Sequence, residues 1–201
     1  MIYIEYYSRR PEIDLAEFHQ AVRTGMEGWD ESFNEDQLVW SVARTWRIGP
    51  LPEHIGVWYS PKFGFERIDD WESIFRAGEA DSYESPFLKV ARIEAAGCYE
   101  PLLEPVRVRN GSYYAEFFRG NGETAAIRNF YLKRAKQHPR LNLNLLVHRI
   151  GQLGPQPGGL AVWTLPNFAA LKEIASGLDG VTKPVQLEAA GTYADVGKQI
   201  L

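Results

Sequence analysis

Residues 92–99 read Arg92-Ile93-Glu94-Ala95-Ala96-Gly97-Cys98-Tyr99, and residues 186–193 read Gln186-Leu187-Glu188-Ala189-Ala190-Gly191-Thr192-Tyr193. The end of the chain repeats its middle, and other echoes keep the same order. Tyr3-Ile4-Glu5-Tyr6-Tyr7 returns as Tyr114-Ala115-Glu116-Phe117-Phe118, Arg47-Ile48-Gly49 as Arg149-Ile150-Gly151, and Val57-Trp58 as Val162-Trp163. The matched positions lie 111, 102, 105 and 94 residues apart (114−3, 149−47, 162−57, 188−94), so insertions vary while order is kept. A tandem duplication of one supersecondary unit is the simplest reading. It divides the chain into a first unit over 1–104, a join over 105–111 and a second unit over 112–201.

Each unit carries the same run of elements. Residues 2–7 are β-branched and aromatic, a strand by propensity. Asp14 followed by Glu17 marks a helix start, and Leu15, Phe18, Val22, Met26 and Trp29 recur at helical spacing. Strands over 38–48 and 54–60 form a hairpin across Gly49-Pro50-Leu51-Pro52. A helix over 65–75, a helical piece over 86–91 and a strand over 94–102 complete the unit. The second unit repeats the series, with strands over 112–119, 141–150, 159–165 and 185–196 and helices over 123–137 and 168–176. Each half is β-α-β-β-α-β, the ferredoxin-like split unit of the α+β class. One such sheet has helices on one face only, and its other face would expose a large apolar patch. Two copies in one chain can cover each other, which predicts a single-chain dimeric α/β barrel.

Composition narrows the function classes. With a net charge of −4 and no clustered Lys and Arg, nucleic acid and anionic membranes are not expected partners. The pairs Arg9-Arg10 and Lys133-Arg134 read as solvated. One cysteine, Cys98, excludes an intrachain disulfide and a multi-thiolate metal site, so no metal centre is expected. The start lacks the apolar core of a signal peptide, and no run is long enough for a membrane span. The expected location is cytoplasmic.

Alternation along strands sorts the barrel residues. In 38–48 the small residues Val39, Ser41, Ala43 and Thr45 suit the helix side, leaving Trp40, Arg44 and Trp46 to look into the barrel. Carrying the register of Arg47 onto Arg149 gives Asn142, Asn144, Leu146 and His148 as the lumen set of the second half. Ile4 and Tyr6 suit the core, so Tyr3 and Glu5, with their counterparts Tyr114 and Glu116, join the lumen. A cavity mixing aromatics with a few polar groups is what a small-molecule site looks like. The plain alternative is that Arg44 forms an internal ion pair with Glu5 or Glu116 and fills the barrel, with His148 structural. Cys98 and the turn-like His54 and His138 carry no predicted role. No phosphate loop, nucleophile elbow or paired-histidine motif is present.

The hairpin Trp46-Arg47-Ile48-Gly49-Pro50-Leu51-Pro52-Glu53-His54-Ile55-Gly56-Val57-Trp58-Tyr59-Ser60, with Pro86-Phe87-Leu88 in the following helical stretch, resembles NIPSNAP-type domains. The second half keeps Arg149-Ile150-Gly151 and Val162-Trp163 but replaces the turn. The resemblance implies the dimeric α/β barrel superfamily, whose relatives include antibiotic-biosynthesis-type monooxygenases, EthD-like proteins and the haem-binding chlorite-dismutase group. It supplies no catalytic residues, and fold does not give function in so varied a superfamily.

Three functions compete. The first is an enzyme, cofactor-independent and oxygenase- or isomerase-like, acting on an aromatic or polyketide-like molecule in the barrel. Trp40, Trp46 and Tyr3 would hold the substrate, beside Glu5, Tyr114, Glu116, Asn142 and Asn144. His148 would move a proton and Arg44 would stabilise an oxyanion. The second is haem binding with His148 as axial ligand. The third is a non-catalytic module that binds a ligand or protein, its barrel plugged by its own side chains. In each case a second copy of the chain could pair as a homo-oligomer.

Overall fold

The Asp14 side chain accepts the Glu17 backbone N–H at 2.8 Å, the N-cap bond that satisfies a donor left open at a helix start. The helix it begins, α1, spans Leu15–Ser32 in the computed structural model, which describes residues 1–32, 37–45, 51–59, 89–106, 111–150, 158–175 and 184–195. Around it the chain forms strands β1 (Ile2–Arg9), β2 (Gln37–Arg44), β3 (His54–Tyr59) and β4 (Ala91–Pro101). Then follow β5 (Ser112–Gly120), helix α2 (Thr124–Gln137), β6 (Asn142–Arg149) and β7 (Gly159–Leu165). A 3₁₀ turn at Phe168–Ala170, helix α3 (Leu171–Ala175) and β8 (Val185–Asp195) complete the described elements. The helix expected over 65–75, positions 86–88 of the helical piece expected over 86–91, and Trp46 and Arg47 lie outside the described residues; of that piece 89–90 are helical and Ala91 opens β4.

All eight strands are antiparallel and close into a barrel in the order β1-β3-β2-β8-β5-β7-β6-β4. The four strands β4-β1-β3-β2 and the four strands β8-β5-β7-β6 follow one order. Two short seams join the sets: Val42, Ala43 and Arg44 pair with β8, and Tyr99, Glu100 and Pro101 pair with β6. Closure removes the free sheet edges that would otherwise invite pairing with other chains.

Side chains from every strand fill the lumen. Ile2, Ile4 and Tyr6 meet Trp40, Val42, Ile55, Val57 and Tyr99 from one set of strands, and Tyr113, Phe117, Leu145, Val162 and Tyr193 from the other. Trp40 lies 4.5 Å from Tyr113 between ring centroids, and the Tyr6 and Tyr99 hydroxyls are 3.2 Å apart. Two further cores lie outside the barrel wall. One holds Tyr7, Phe18, Val22 and Ala43 under α1. The other holds Phe118, Ile127, Tyr131, Trp163 and Ile174 under α2 and α3.

This layering corrects the sequence reading on two strands and half of a third. On β1 and β5 the faces are exchanged: Ile4, Tyr6, Ala115 and Phe117 point inward, while Tyr3, Glu5, Tyr114 and Glu116 lie on the outer, helix-covered face. A closed lumen is the driest part of this fold, so the most apolar face goes there. On β6 a bulge decides the matter. Leu143 pairs with Trp163 and Leu145 with Val162, leaving Asn144 as the extra residue. One extra residue reverses the alternation beyond it. Leu145 and Val147 therefore face the lumen, while Leu146 joins the outer core and His148 follows it.

Candidate functional site

Arg44 and His148, the expected catalytic pair, are not brought together. Arg44 follows Trp40 and Val42 on the lumen face of β2, is buried, and donates from Nη1 to the Leu51 carbonyl at 2.6 Å. By strand pairing its counterpart is Arg149, not His148: Arg44 stands opposite Tyr193 as Arg149 stands opposite Tyr99. His148 sits outside the wall. Its Nδ1 is 3.8 Å from Glu100, and its ring lies close against Gly120, beside Ile127. Asn142 is exposed, whereas Asn144 is buried within the bulge. Trp40 is buried in the filled lumen and donates to the Val106 carbonyl at 3.3 Å. The expected ion pair between Arg44 and Glu5 or Glu116 does not form.

The two glutamates lie instead in the two outer layers, and their surroundings differ. Glu116 is fully buried and receives Nη1 and Nη2 of Arg134 at 2.7 and 2.9 Å, with Trp163 Nε1 at 3.4 Å. Desolvation pulls the Arg134 guanidinium down, but the hydrogen bonds and charge of Glu116 outweigh it and hold its pKa above the usual value. The same guanidinium lies 5.3–5.7 Å from the centroids of Trp163, Tyr131 and Phe130, within cation–π range. Arg134, read from sequence as solvated, is thus a buried partner. The signal was available in Ile127, Tyr131 and Arg134, which stand four and three residues apart on one helix face.

Glu5 has no such cation among the described residues. Its Oε2 accepts from the Tyr7 hydroxyl at 2.5 Å and from Trp58 Nε1 at 2.8 Å. Desolvation pushes its carboxyl pKa up, and these two hydrogen bonds only partly counter the shift. Beside it on β3, the missing side chain of Gly56 leaves ordinary van der Waals room. A Cβ there would lie 3.6 Å from Glu5 Oε2 and 3.5 Å from Trp58 Nε1.

His54, which sequence reading passed over as a turn residue, belongs to this layer. It alternates with Gly56 and Trp58 on the outer face of β3, a period-two signal that was legible. Its Nε2 is 2.8 Å from Ser41 Oγ, and its ring centroid is 5.5 Å from that of Tyr7 and 6.2 Å from that of Phe18. Burial, and secondarily the charge of His19, lower its pKa to about 3, so the imidazole is neutral at physiological pH. Glu5, Tyr7, Ser41, His54, Gly56 and Trp58 form a polar layer, buried except for the partly exposed Glu5 and Trp58. The matching positions around Glu116 are Phe118, Leu146, Gly159, Ala161 and Trp163, an apolar set closed by the ion pair.

The remaining titratable residues carry less. Glu94 pairs with Arg92 at 2.5 Å and Glu188 with Arg119 at 2.9 Å, both at the surface. Cys98 is free and buried, with its thiol pKa raised by desolvation, which suits an inert core cysteine. Among the described residues no group of His, Cys, Asp and Glu is arranged to hold a metal ion.

No family model matches the chain. No curated protein matches it either. Solved structures do. A candidate chlorite dismutase superposes with a TM-score of 0.59 at 12% identity, over 98% of this chain and 95% of the other. Chlorite dismutase from Candidatus Nitrospira defluvii gives 0.54 at 9% identity, over 99% and 93%. A candidate monooxygenase from Lactobacillus acidophilus gives 0.50 at 12% identity, over 96% and 91%. At these identities the likeness shows the fold alone, the closed antiparallel barrel with outer helices described above. Among the described residues no helix is long and apolar enough to cross a membrane.

Proposed function

We propose that this chain is a small-molecule-binding enzyme whose site is the α1-covered layer around Glu5, not the barrel lumen. One observation carries the reading. Of two outer layers built on the same strand order, the second is sealed by Glu116 and Arg134, whereas the first keeps a partly exposed carboxyl, a neutral imidazole and room for a side chain at Gly56. A carboxyl with a raised pKa can exchange a proton with a ligand, and an uncharged histidine can hold that ligand by hydrogen bonding. The chemistry this supports is acid–base, of the isomerase-like kind. Trp58 and Tyr7 offer aromatic surface to the ligand. The lumen expected to hold an aromatic or polyketide-like substrate is instead filled, as a plugged-barrel binding module would have it.

The same proposal includes a duplicated chain with units over 1–104 and 112–201 and kinship with NIPSNAP-type domains. Supporting the duplication are the cross-strand pairs Glu5–Gly56 and Glu116–Ala161, which occupy one register in the two halves. Pairing of two chains belongs to it as well, and native mass spectrometry reads it directly.

Haem is the second reading, favoured by the chlorite dismutases among the structural neighbours over the expectation of no cofactor. The described residues do not make a haem pocket around His148. Its ring stands outside the wall against Gly120, the lumen is packed, and the Glu116 layer is closed. No step is therefore derived through haem. Titration of the purified protein with hemin, read as a Soret band in wild type and in His148→Ala and His54→Ala, separates the two readings.

A thermal-shift screen of small organic molecules tests the site. Compounds that raise the wild-type Tm should fail to do so in Gly56→Leu, where a side chain fills that room, and should still act on Trp40→Phe in the lumen. Hits lost in the lumen variant and kept in Gly56→Leu overturn the assignment.

A further inference from the structure

The net charge of −4 conceals a division. Residues 1–104 carry ten Lys and Arg against twenty Asp and Glu, a net −10. Residues 112–201 carry ten against six, a net +4, and Arg107 and Arg109 in the join supply the remaining +2. Ionised side chains stay at the surface unless paired, so the two excesses are surface fields of opposite sign.

The barrel sets those fields back to back. Helix α1 packs on β2 and α2 on β6, strands that stand four places apart in the ring of eight, across the barrel from each other. Along α2 lie Arg128, Lys133, Arg134 and Lys136 and no carboxylate. Arg134 turns inward to Glu116, whereas Arg128, Lys133 and Lys136 are exposed, with Arg140 just beyond the helix. Arg128 donates to the Leu102 carbonyl at 3.0 Å, and Arg140 lies 3.9 Å from Glu173. Among the described residues Lys133 and Lys136 have no ion-pair partner. Ala125, Asn129 and Lys136 share the outer face at helical spacing, and Leu132 between them is half-buried and outside the core beneath the helix. The opposite side of the molecule presents Glu12, Asp14 and Glu17, all exposed, at the start of α1. Arg9, Arg10 and Arg23 temper the charge there, so the attraction is that of the whole first unit and not of one ion pair.

We infer that the exposed face of α2 docks on the acidic, α1-bearing side of a second copy of the chain. This gives the pairing of chains proposed above its surface and rests on that reading. A copy cannot meet its own acidic side, because the two sides lie across the barrel from each other. The contact is therefore heterologous, head to tail, and builds a ring or an open row instead of a two-fold dimer. Exposed ion pairs hold weakly and are screened by salt, so the assembly is reversible and favoured at low ionic strength. Like sides repel, which fixes the order of acidic against basic.

Sedimentation velocity of the full chain over a concentration series measures it. At about 10 mM salt, where the Debye length is about 30 Å, the wild type should sediment as species larger than a monomer. At about 1 M, where that length is about 3 Å, it should sediment as a monomer. Lys133→Glu/Lys136→Glu should weaken self-association at low salt by at least about tenfold, and Glu12→Lys/Glu17→Lys should weaken it as well. Mixed together, the two reversed variants should assemble again, because each offers the sign that the other needs. Far-ultraviolet circular dichroism reports that they stay folded, and Lys133→Gln/Lys136→Gln gives the same reading if the reversal unfolds the chain. Self-association that ignores salt and every variant would keep the pairing and overturn this surface. A wild type that stays monomeric at every salt concentration would overturn both. Capture of such a monomer by phosphatidylserine vesicles, lost in Lys133→Glu/Lys136→Glu, would assign the face to a lipid surface instead of a second copy.

Discussion

Arg134 and Glu116 hold the second outer layer shut, and their removal one at a time has an asymmetric cost. Arg134→Met leaves a fully buried carboxylate facing Trp163 with no cation, which should destabilise the fold by about 3–5 kcal/mol. The double variant Arg134→Met/Glu116→Gln should recover most of that loss, because neither partner is then left charged. Urea unfolding of the three variants checks the sign and the recovery; equal stability of Arg134→Met and wild type would mean that the pair contributes nothing. His54 gives a second residue-scale prediction. Burial holds its folded pKa at about 3, below the ordinary value of 6.5. The folded state therefore binds that proton less well than the unfolded chain. Stability is complete above pH 6.5 and is lost as pH falls toward 3, with a slope of up to about 1.4 kcal/mol per pH unit from this one group. His54→Gln, which cannot titrate, should flatten that part of the profile in Tm against pH. An unchanged slope would assign the acid loss to other groups.

Among the elements, β6 shows how a single residue overrides a pattern. Its sequence Asn142-Leu143-Asn144-Leu145-Leu146-Val147 alternates well at first, and the leucines at 141 and 143 were read correctly as the helix side. Asn144 then sits as the extra residue opposite Trp163, and the bulge sends Leu145 and Val147 into the barrel. Leu145→Ala should therefore cost about 2–5 kcal/mol, as a cavity in a packed core does. His148→Ala, at the partly exposed outer rim, should cost much less, about 1 kcal/mol or below. Thermal denaturation of the two variants checks this order, and the reverse order would return His148 to the lumen. Bulges are poorly legible in sequence because they depend on how two strands meet, not on the residues of one strand. The same limit explains Arg149: the repeated Arg-Ile-Gly word pointed to Arg47 as its partner, while strand pairing gives Arg44. Several elements with local causes were legible. The Asp14 cap, the strands beside their Gly and Pro turns, and the helix over 124–137 all follow from short-range chemistry. The polar outer layer was not, because which face of β1 goes under a helix is decided by the second set of strands closing the lumen.

At the scale of the molecule, closure of the barrel is what fixes that choice, and the seams are its narrowest part. Among the described residues each seam pairs three residues from either strand, whereas β5 and β8 pair along nine positions. Within a set the strands are held by long ladders; between sets, side chains also pack on one another across the lumen. Trp40 on Tyr113 and Tyr6 against Phe117 are examples, each pairing a residue of β1 or β2 with one of β5. A half-molecule of 1–104 or 112–201 would thus keep its ladders but expose that aromatic face and two open strand edges. Expressed alone, each half should self-associate or aggregate instead of remaining a folded monomer. Expressed together, the halves should recombine into a 1:1 complex, since the lumen is built from unlike faces that fit each other. Native mass spectrometry of the co-expressed pair, with near-ultraviolet circular dichroism to report the packed Trp and Tyr rings, measures both. A soluble monomeric half with a native aromatic signal would show that the lumen contacts do not hold the two sets together. The proposed division of the chain at 105–111 would then describe two independent domains instead of one barrel.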